Sequence, residues 1–239
     1  MASRLSFRDF AKATGQLAKS DRADSRVLAA FDAFAELPLT QPRGGFLERL
    51  GDILVVREQF VDQRMALKAT LTEVDDPLSS KVVPGVIASL DNAIARYDRQ
   101  IKQLISGKAT HAESYRVLNS IPGIGPVTSA ALICQMSELG IISNRQAAAL
   151  IGVAPMARDS GTMEGMRRTN CGRCRPRDLP YMAAMSAMYW NRGMKAIHDR
   201  LRERGKRHKI ALVAVMRHLI VLANAILRDR RIWTERTPS

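Results

Sequence analysis

Two aspartates near the start of the chain have the residue type and spacing of metal ligands. Asp21 and Asp24 lie three residues apart in the run AKSDRADSRVLA, and on a helix that spacing places both carboxylates on one face. Carboxylate oxygens are ligands that Mg²⁺ prefers, and a Mg²⁺ site supports phosphoryl transfer. The alternative is a helix start, in which Ser20 or Asp21 accepts hydrogen bonds from the first free amides. The residues alone favour this helix cap.

A second candidate for chemistry is a serine within the cationic stretch ARDSGTMEGMRRTNCGRCRPR, residues 157–177. Ser160 precedes a glycine, and a Ser-Gly step is usually a turn. A serine nucleophile needs a base, or an electrostatic site around the phosphate that it attacks. Arginines of the same stretch have the charge for such a site: Arg158, Arg167, Arg168, Arg173 and Arg175. The residues alone favour a turn and keep the nucleophile as the alternative.

The same stretch contains Cys171 and Cys174, which have the CxxC spacing of zinc ligands. A structural zinc site needs four ligands. Cys134 lies in an apolar helical pattern, and the histidines show no matching pair: His111, His198, His208 and His218. We therefore interpret the pair as two small loop residues. Three cysteines, an odd number, argue against a disulfide framework and suit a reducing cytoplasm.

The glycine-rich turn IPGIGP, residues 121–126, lies between two helical patterns. Gly123 and Gly125 leave backbone amides uncovered, and Pro126 suits the first position of the following helix. Free amides at a helix start bind phosphate oxygens and hold DNA without reading bases. This pattern predicts a helix-hairpin-helix with Gly123 and Gly125 at the DNA. The alternative is a tight turn that lets two helices pack closely.

The net charge of +14 and a pI near 10.4 favour a polyanionic partner, of which nucleic acid is the commonest. The charge is uneven, because residues 151–239 contain 19 Lys and Arg against 7 Asp and Glu. A membrane surface is the alternative partner. The first fifteen residues lack a signal-peptide pattern, and the apolar run Ile210–Leu227 predicts a buried helix. We expect a cytoplasmic protein without a membrane span.

Two long helical patterns precede the turn, separated by EVDDPLSSKVVPG. The first recurs mostly at spacings of three, four or seven: Leu47, Leu50, Leu54, Val61, Met65 and Leu71. The second alternates spacings of three and four: Ile87, Leu90, Ile94, Tyr97, Ile101 and Leu104. Such a seam predicts an antiparallel helical hairpin that forms a coiled-coil arm and contributes to a homo-oligomer. The alternative is that both helices pack on one compact core.

Nearly every remaining pattern is helical. SNRQAAALIG, Pro180–Arg204 and Lys209–Arg230 predict further helices, and a short strand is conceivable only at Ile151–Ala154. The expected fold class is mainly α: the arm, then a helical C-terminal domain containing the helix-hairpin-helix. The expected domains are residues 1–45, 46–108 and 109–239.

The order of these segments resembles one family across nearly the whole chain. SIPGIGPVTSAALI, then SNRQAAALIGVAPMARDSGTMEGMRRTNCGRCRPRDLPYMAAMSA, then ALVAVMRHLIVLANAILRDRRIW are similar to the C-terminal domain of the DEDD insertion-sequence transposases of the IS-one-ten family. AKATGQLAKSDRADSRVLA resembles the last motif of that family's N-terminal catalytic domain. The ordered set is more specific than any one motif.

The resemblance implies DNA transposition and site-specific recombination. It implies an N-terminal RNase-H-type domain with Asp, Glu, Asp and Asp around Mg²⁺, where Lys19 to Asp24 match the motif of the last two acids. It implies a coiled-coil arm that mediates assembly, and Ser160 as a nucleophile that forms a transient link to a DNA phosphate. A structured RNA guides the better-understood members.

The chain departs from the family pattern in one respect. The strands expected to carry the first Asp and the Glu would lie upstream of Asp21, where Asp9 is too close to fit. We therefore expect an N-terminally truncated transposase with an incomplete Mg²⁺ site and only a remnant of the RNase-H-type domain. The alternatives are a non-catalytic DNA- or RNA-binding remnant and, third, a helical scaffold whose charge is a solvated surface.

Overall fold

The computed structural model describes residues 44–151 and 175–234, together with the single helical positions Val27 and Ala30. For residues 175–180 it describes the backbone path of a helix alone. The chain divides into two compact units, Met1–Arg43 and Gly44–Ser239. The architecture that follows is that of the second unit.

Eight helices form the described part of this unit. In chain order they are α1 (Gly45–Glu73), α2 (Pro77–Ser106), α3 (Ala109–Asn119), α4 (Pro126–Gln135), α5 (Asn144–Leu150), α6 (Arg175–Trp190), α7 (Arg192–Glu203) and α8 (His208–Asp229). Within the described residues no strand occurs, which confirms a mainly α fold. Of the short strand considered at 151–154, Ile151 is a turn residue, and the other three positions lie outside the described residues.

Helices α1 and α2 run antiparallel as a long pair. Two ion pairs link them, Arg57 to Asp98 at 2.6 Å and Arg64 to Asp91 at 2.7 Å, so residue numbers rise along one helix as they fall along the other. The connection is short because the Asp76 side chain accepts a hydrogen bond from the Ser79 amide at 2.7 Å and starts α2 at once. This bond also lowers the pKa of Asp76.

The seam between the two helices follows the predicted pattern on α2, where Ile94 and Ile101 are buried. Phe60 of α1 meets Tyr97 edge to face, with ring centroids 5.6 Å apart. One predicted seam position is wrong, because Met65 is 63% exposed. The neighbouring Arg64 occupies the seam instead. It lies four residues after Phe60 and three after Val61, on the same face of α1, and forms an ion pair with Asp91 of α2.

Helix α4 joins the arm to the rest of the unit. Its small residues Ala130, Ala131 and Cys134 are buried in a cluster with the root of α1 and α2. Its opposite side, Leu132 and Ile133, is part of the main core built from α3 to α8. The small side chains let α4 approach α1 and α2 closely. Because α4 contributes residues to both clusters, it is packed on two sides and both clusters hold it in position.

The main core surrounds α8. Buried residues line one long face of this helix: Ala211, Leu212, Val215, Met216, Leu219, Ile220, Ala223, Asn224 and Ile226. Among the described residues α8 is the one helix long and apolar enough to cross a membrane, yet half of its most apolar window is buried inside the protein. The core helix of a globular domain has these same properties, as the sequence predicted for Ile210–Leu227.

The predicted single helix over Pro180–Arg204 is wrong, because the chain breaks at Asn191. The Asn191 side chain accepts a hydrogen bond from the Met194 amide at 3.2 Å and its backbone is extended, so it ends α6 and begins α7. Asparagine competes with helical hydrogen bonds in this way. By contrast, α5 begins where SNRQAAALIG suggests, with a capping box between Ser143 and Gln146.

Asn224→Ala is expected to destabilise the unit by about 2–3 kcal/mol, because it leaves buried polar groups without partners. Asn224 is fully buried, accepts from the Gly140 amide at 2.8 Å and donates to the Ile142 carbonyl at 3.0 Å. It also donates to the side chain of Asn144 at 2.8 Å.

The matched control is Asn144→Ala, which removes an exposed partner and should cost less than about 1 kcal/mol. Urea unfolding followed by circular dichroism measures both variants. An equal loss of unfolding free energy in the two variants would contradict the view that the buried Asn224 side chain stabilises the unit through its hydrogen bonds.

Candidate nucleic-acid interface

The structure describes two of the predicted site residues, Gly123 and Gly125. The others lie outside the described residues: Asp21, Asp24, Arg158, Ser160, Arg167, Arg168 and Arg173. Cys171 and Cys174 do so too. In the part of the chain that is described, no group of three or more His, Cys, Asp or Glu side chains is placed to hold a metal ion. The geometry below is therefore that of the glycine turn and its surroundings.

The turn between α3 and α4 is tight, with the Ile124 amide donating to the Ile121 carbonyl at 2.9 Å. Gly123 has φ +102°, a region that favours glycine. A Cβ on Gly123 would lie 2.4 Å from the Cβ of Ala187 in α6 and 2.6 Å from its Cα. The turn therefore packs directly on the α6 backbone, which is the close-packing alternative that the sequence left open for this residue.

Gly125 has a different environment. A Cβ added there would meet nothing within 4 Å, and its extended backbone (φ −82°) precedes α4 directly. The next residue, Pro126, is exposed. No side chain caps the start of α4, so the amides of Val127 and Thr128 are not satisfied by a capping group. With the positive end of the helix dipole they form an anion-binding geometry.

The start of α4 is nevertheless held rigidly. The Ser129 amide donates to the Gly125 carbonyl at 2.9 Å, and Ser129 is fully buried, as are the next residues of the helix. The turn is anchored by Gly123 on α6, and α4 is anchored in both core clusters. An incoming phosphate would thus meet amides whose direction is already set, which reduces the ordering cost of binding.

The histidine of α3 lies away from the turn. His111 lies near the start of α3, stacks on Phe46 with ring centroids 4.5 Å apart, and follows Lys108, the residue directly before the helix, by three positions. Burial lowers the pKa of His111, and the charge of Lys108 lowers it further. The ring is therefore mostly neutral near pH 7 and adds no positive charge to the interface.

Sequence reasoning missed one concentrated set of exposed cations in the described residues. Residues 200–209, RLRERGKRHK, form the end of α7, a short turn and the start of α8. The signal was available as six Lys and Arg among ten residues. Helical periodicity places these residues only at the ends of two helices. That all six cations are exposed side by side becomes visible only in the folded structure.

Residues 115–199 match the family model described as the IS116/IS110/IS902 transposase family. The match runs from α3 through most of α7. It includes the glycine turn and, in sequence, the stretch that contains Ser160.

Curated relatives extend the similarity over most of the chain. The pilin gene-inverting protein of Moraxella lacunata is 27% identical over 234 residues, which cover 95% of this chain and 71% of the relative. The uncharacterized protein of insertion element IS116 from Streptomyces clavuligerus is 30% identical over 154 residues, or 64% of this chain and 38% of the relative. A third relative, from insertion element IS110 of Streptomyces coelicolor, is 28% identical over 160 residues, or 66% and 39%. Over residues 115–199 the chain matches the IS116/IS110/IS902 family of transposases, and two insertion-element proteins are among its relatives.

Proposed function

We propose that this chain binds DNA and exchanges DNA strands by phosphoryl transfer, as a transposase or an inverting recombinase. The observation that carries the proposal is the family match over residues 115–199, the region that contains the glycine turn and the Ser160 stretch. The similarity to a pilin gene-inverting protein over 95% of the chain supports recombination of DNA segments. The net charge of +14 suits a DNA partner.

The proposed DNA contact begins at α4. The uncapped start of this helix, after Gly125, receives one backbone phosphate, and Gly123 supports the turn from below. In this proposal α3, the turn and α4 act together as a helix-hairpin-helix. Arginines of the Ser160 stretch complete the grip on the backbone: Arg158, Arg167, Arg168 and Arg173. Such contacts position DNA without reading its sequence.

Ser160 is the proposed nucleophile. Its Oγ attacks a DNA phosphorus, forms a phosphoserine ester and breaks one bond from phosphorus to a strand oxygen. The serine proton passes to that departing oxygen, which becomes a free hydroxyl. A hydroxyl of the partner strand then attacks the ester, rejoins the strands and returns Ser160 to its free form. The neighbouring arginines stabilise negative charge that develops on the phosphate oxygens.

Asp21 and Asp24 are the proposed ligands for Mg²⁺. Two carboxylates have the right donor chemistry for this ion, but they supply only part of the ligand shell that it needs. When bound, Mg²⁺ would neutralise phosphate charge during strand exchange. The two residues hold it, and further carboxylates would have to come from elsewhere.

The arm is the proposed assembly element. The antiparallel helices α1 and α2 form a coiled coil through which copies of the chain associate, and a structured guide RNA is a further proposed partner. The proposed domains are residues 1–45, a remnant of an RNase-H-type domain, then 46–108 and 109–239. The proposed place of action is the bacterial nucleoid.

The test uses the full chain with Mg²⁺ and a supercoiled plasmid carrying the DNA that flanks its own coding sequence, with and without the RNA transcribed from that flank. We expect recombinant plasmid and a trapped covalent protein–DNA adduct. DNA binding with neither product would show that the chain is a binding remnant and overturn catalysis. An absence of binding at low salt would overturn the DNA function altogether.

A further inference from the structure

The loop between α7 and α8 carries a dense group of positive charges. The cationic hairpin, residues 200–209, has six exposed Lys and Arg side chains: Arg200, Arg202, Arg204, Lys206, Arg207 and Lys209. Its acidic residue is Glu203. Among the described residues none of the six forms an ion pair with a carboxylate. The group is therefore an unneutralised positive surface.

The hairpin is rigid. Gly205 has φ +74°, and the hydrogen bonds of its neighbours complete a Schellman ending of α7. The Lys206 amide donates to the Leu201 carbonyl at 3.0 Å, and the Gly205 amide to the Arg202 carbonyl at 2.9 Å. The Arg202 guanidinium donates to the Lys206 carbonyl at 2.8 Å. Arg202 therefore stabilises the turn that carries the other five cations.

A pair of histidines clamps the base of the hairpin. His198 Nδ1 lies 3.1 Å from Asp199 Oδ1, and His198 Nε2 lies 3.1 Å from His208 Nδ1. Because a carboxylate only accepts, His198 Nδ1 donates to Asp199, and the second ring nitrogen shares a hydrogen bond with His208 Nδ1. This chain of bonds links α7 to the first turn of α8.

Six like charges on one short rigid element repel each other, which costs stability unless a polyanion offsets it. An anionic membrane is the less suitable partner, because the apolar face of α8 is buried in the core rather than free to insert. The cationic hairpin of a second copy carries the same charges and would be repelled from this surface. A nucleic-acid backbone has the complementary charge at regular spacing.

We propose that the cationic hairpin is a preorganised contact for the sugar–phosphate backbone of nucleic acid, in addition to the contacts proposed for the glycine turn and the Ser160 stretch. It binds phosphates and not base edges, so it tightens binding to all sequences equally. The proposal rests on the proposed function, in which the chain acts on nucleic acid.

The test replaces Arg204, Lys206, Arg207 and Lys209 by Gln, leaving Arg202 to hold the turn. The matched control replaces four exposed arm cations by Gln: Lys68, Lys81, Arg99 and Lys102. Affinity of the full chain for a random-sequence DNA duplex and for a structured RNA of unrelated sequence is measured from low to physiological salt. Circular dichroism should show the same fold for both variants, because all eight side chains are exposed.

We expect the hairpin variant to lower the slope of log affinity against log salt by about 2–4 and to weaken binding at least about tenfold. The control should keep the wild-type slope. Equal slopes for hairpin variant and wild type would overturn this proposal while leaving the proposed DNA function intact. Loss confined to DNA or to RNA identifies which backbone the hairpin contacts. Hairpin-dependent sedimentation with anionic vesicles, without a change in nucleic-acid binding, would overturn it in favour of a membrane.

Discussion

Ser160→Ala should abolish the covalent protein–DNA adduct and lower strand exchange by about 10³-fold or more, because no other hydroxyl replaces a positioned nucleophile. DNA affinity should change less than about twofold, since removal of one oxygen leaves the cationic contacts in place. Adduct is measured on denaturing gels with end-labelled DNA, and affinity by titration under the same Mg²⁺ and salt conditions.

Thr162→Ala is the matched control, because it removes a neighbouring hydroxyl from the same cationic stretch. It should retain adduct formation. Adduct that persists in Ser160→Ala would exclude this serine as the nucleophile. An equal loss in Thr162→Ala would mean that the stretch, and not the serine oxygen, is what the reaction requires.

Asp21→Asn distinguishes the metal proposal from the nucleophile proposal. If Asp21 is a Mg²⁺ ligand, this variant should require a higher Mg²⁺ concentration for half-maximal adduct formation, because an amide binds the cation more weakly than a carboxylate. Ser160→Ala should not recover at any Mg²⁺ concentration. An unchanged Mg²⁺ dependence in Asp21→Asn would leave the helix cap as the function of this residue.

Local patterns predicted those features of the fold that depend on neighbours in sequence. The alternation of three and four residues on α2 placed Ile94 and Ile101 in the buried seam, and the SNRQ run placed the start of α5. Met65 was misplaced because the apolar pattern of α1 is weak, and only pairing with α2 shows that Arg64 faces inward. Asn191 ends a helix through its own side chain, an effect that apolar spacing does not register.

The candidate site is harder to predict for the same physical reason. Asp21 and Ser160 have suitable chemistry in their own segments, but a reaction needs them within reach of one phosphate, which only tertiary packing decides. The glycine turn shows this directly, because Gly123 and Gly125 look equivalent in IPGIGP. In the fold the first is pressed against α6 and the second faces open space. The sequence shows that both residues can adopt backbone angles reserved for glycine, but it does not show that their neighbours in the fold differ.

Gly123→Ala should therefore destabilise the unit by about 3 kcal/mol or more, while Gly125→Ala should cost less than about 1 kcal/mol. The first variant places a Cβ 2.4 Å from the Cβ of Ala187 and 2.6 Å from its Cα, at a φ of +102° that side chains disfavour. The clash is with backbone atoms of α6, so no rotamer change relieves it. Gly125 has a negative φ and free space.

Urea unfolding of the two variants measures the difference, and DNA titration of the folded Gly125→Ala protein then separates packing from binding. If the start of α4 binds a phosphate, the new methyl group should weaken DNA binding at every sequence while the fold stays intact. Equal stability of the two variants would contradict the packing of the turn on α6. A stable Gly125→Ala protein with wild-type DNA affinity would contradict a phosphate contact at the start of α4. The arginines of the Ser160 stretch would then remain as the proposed phosphate contacts.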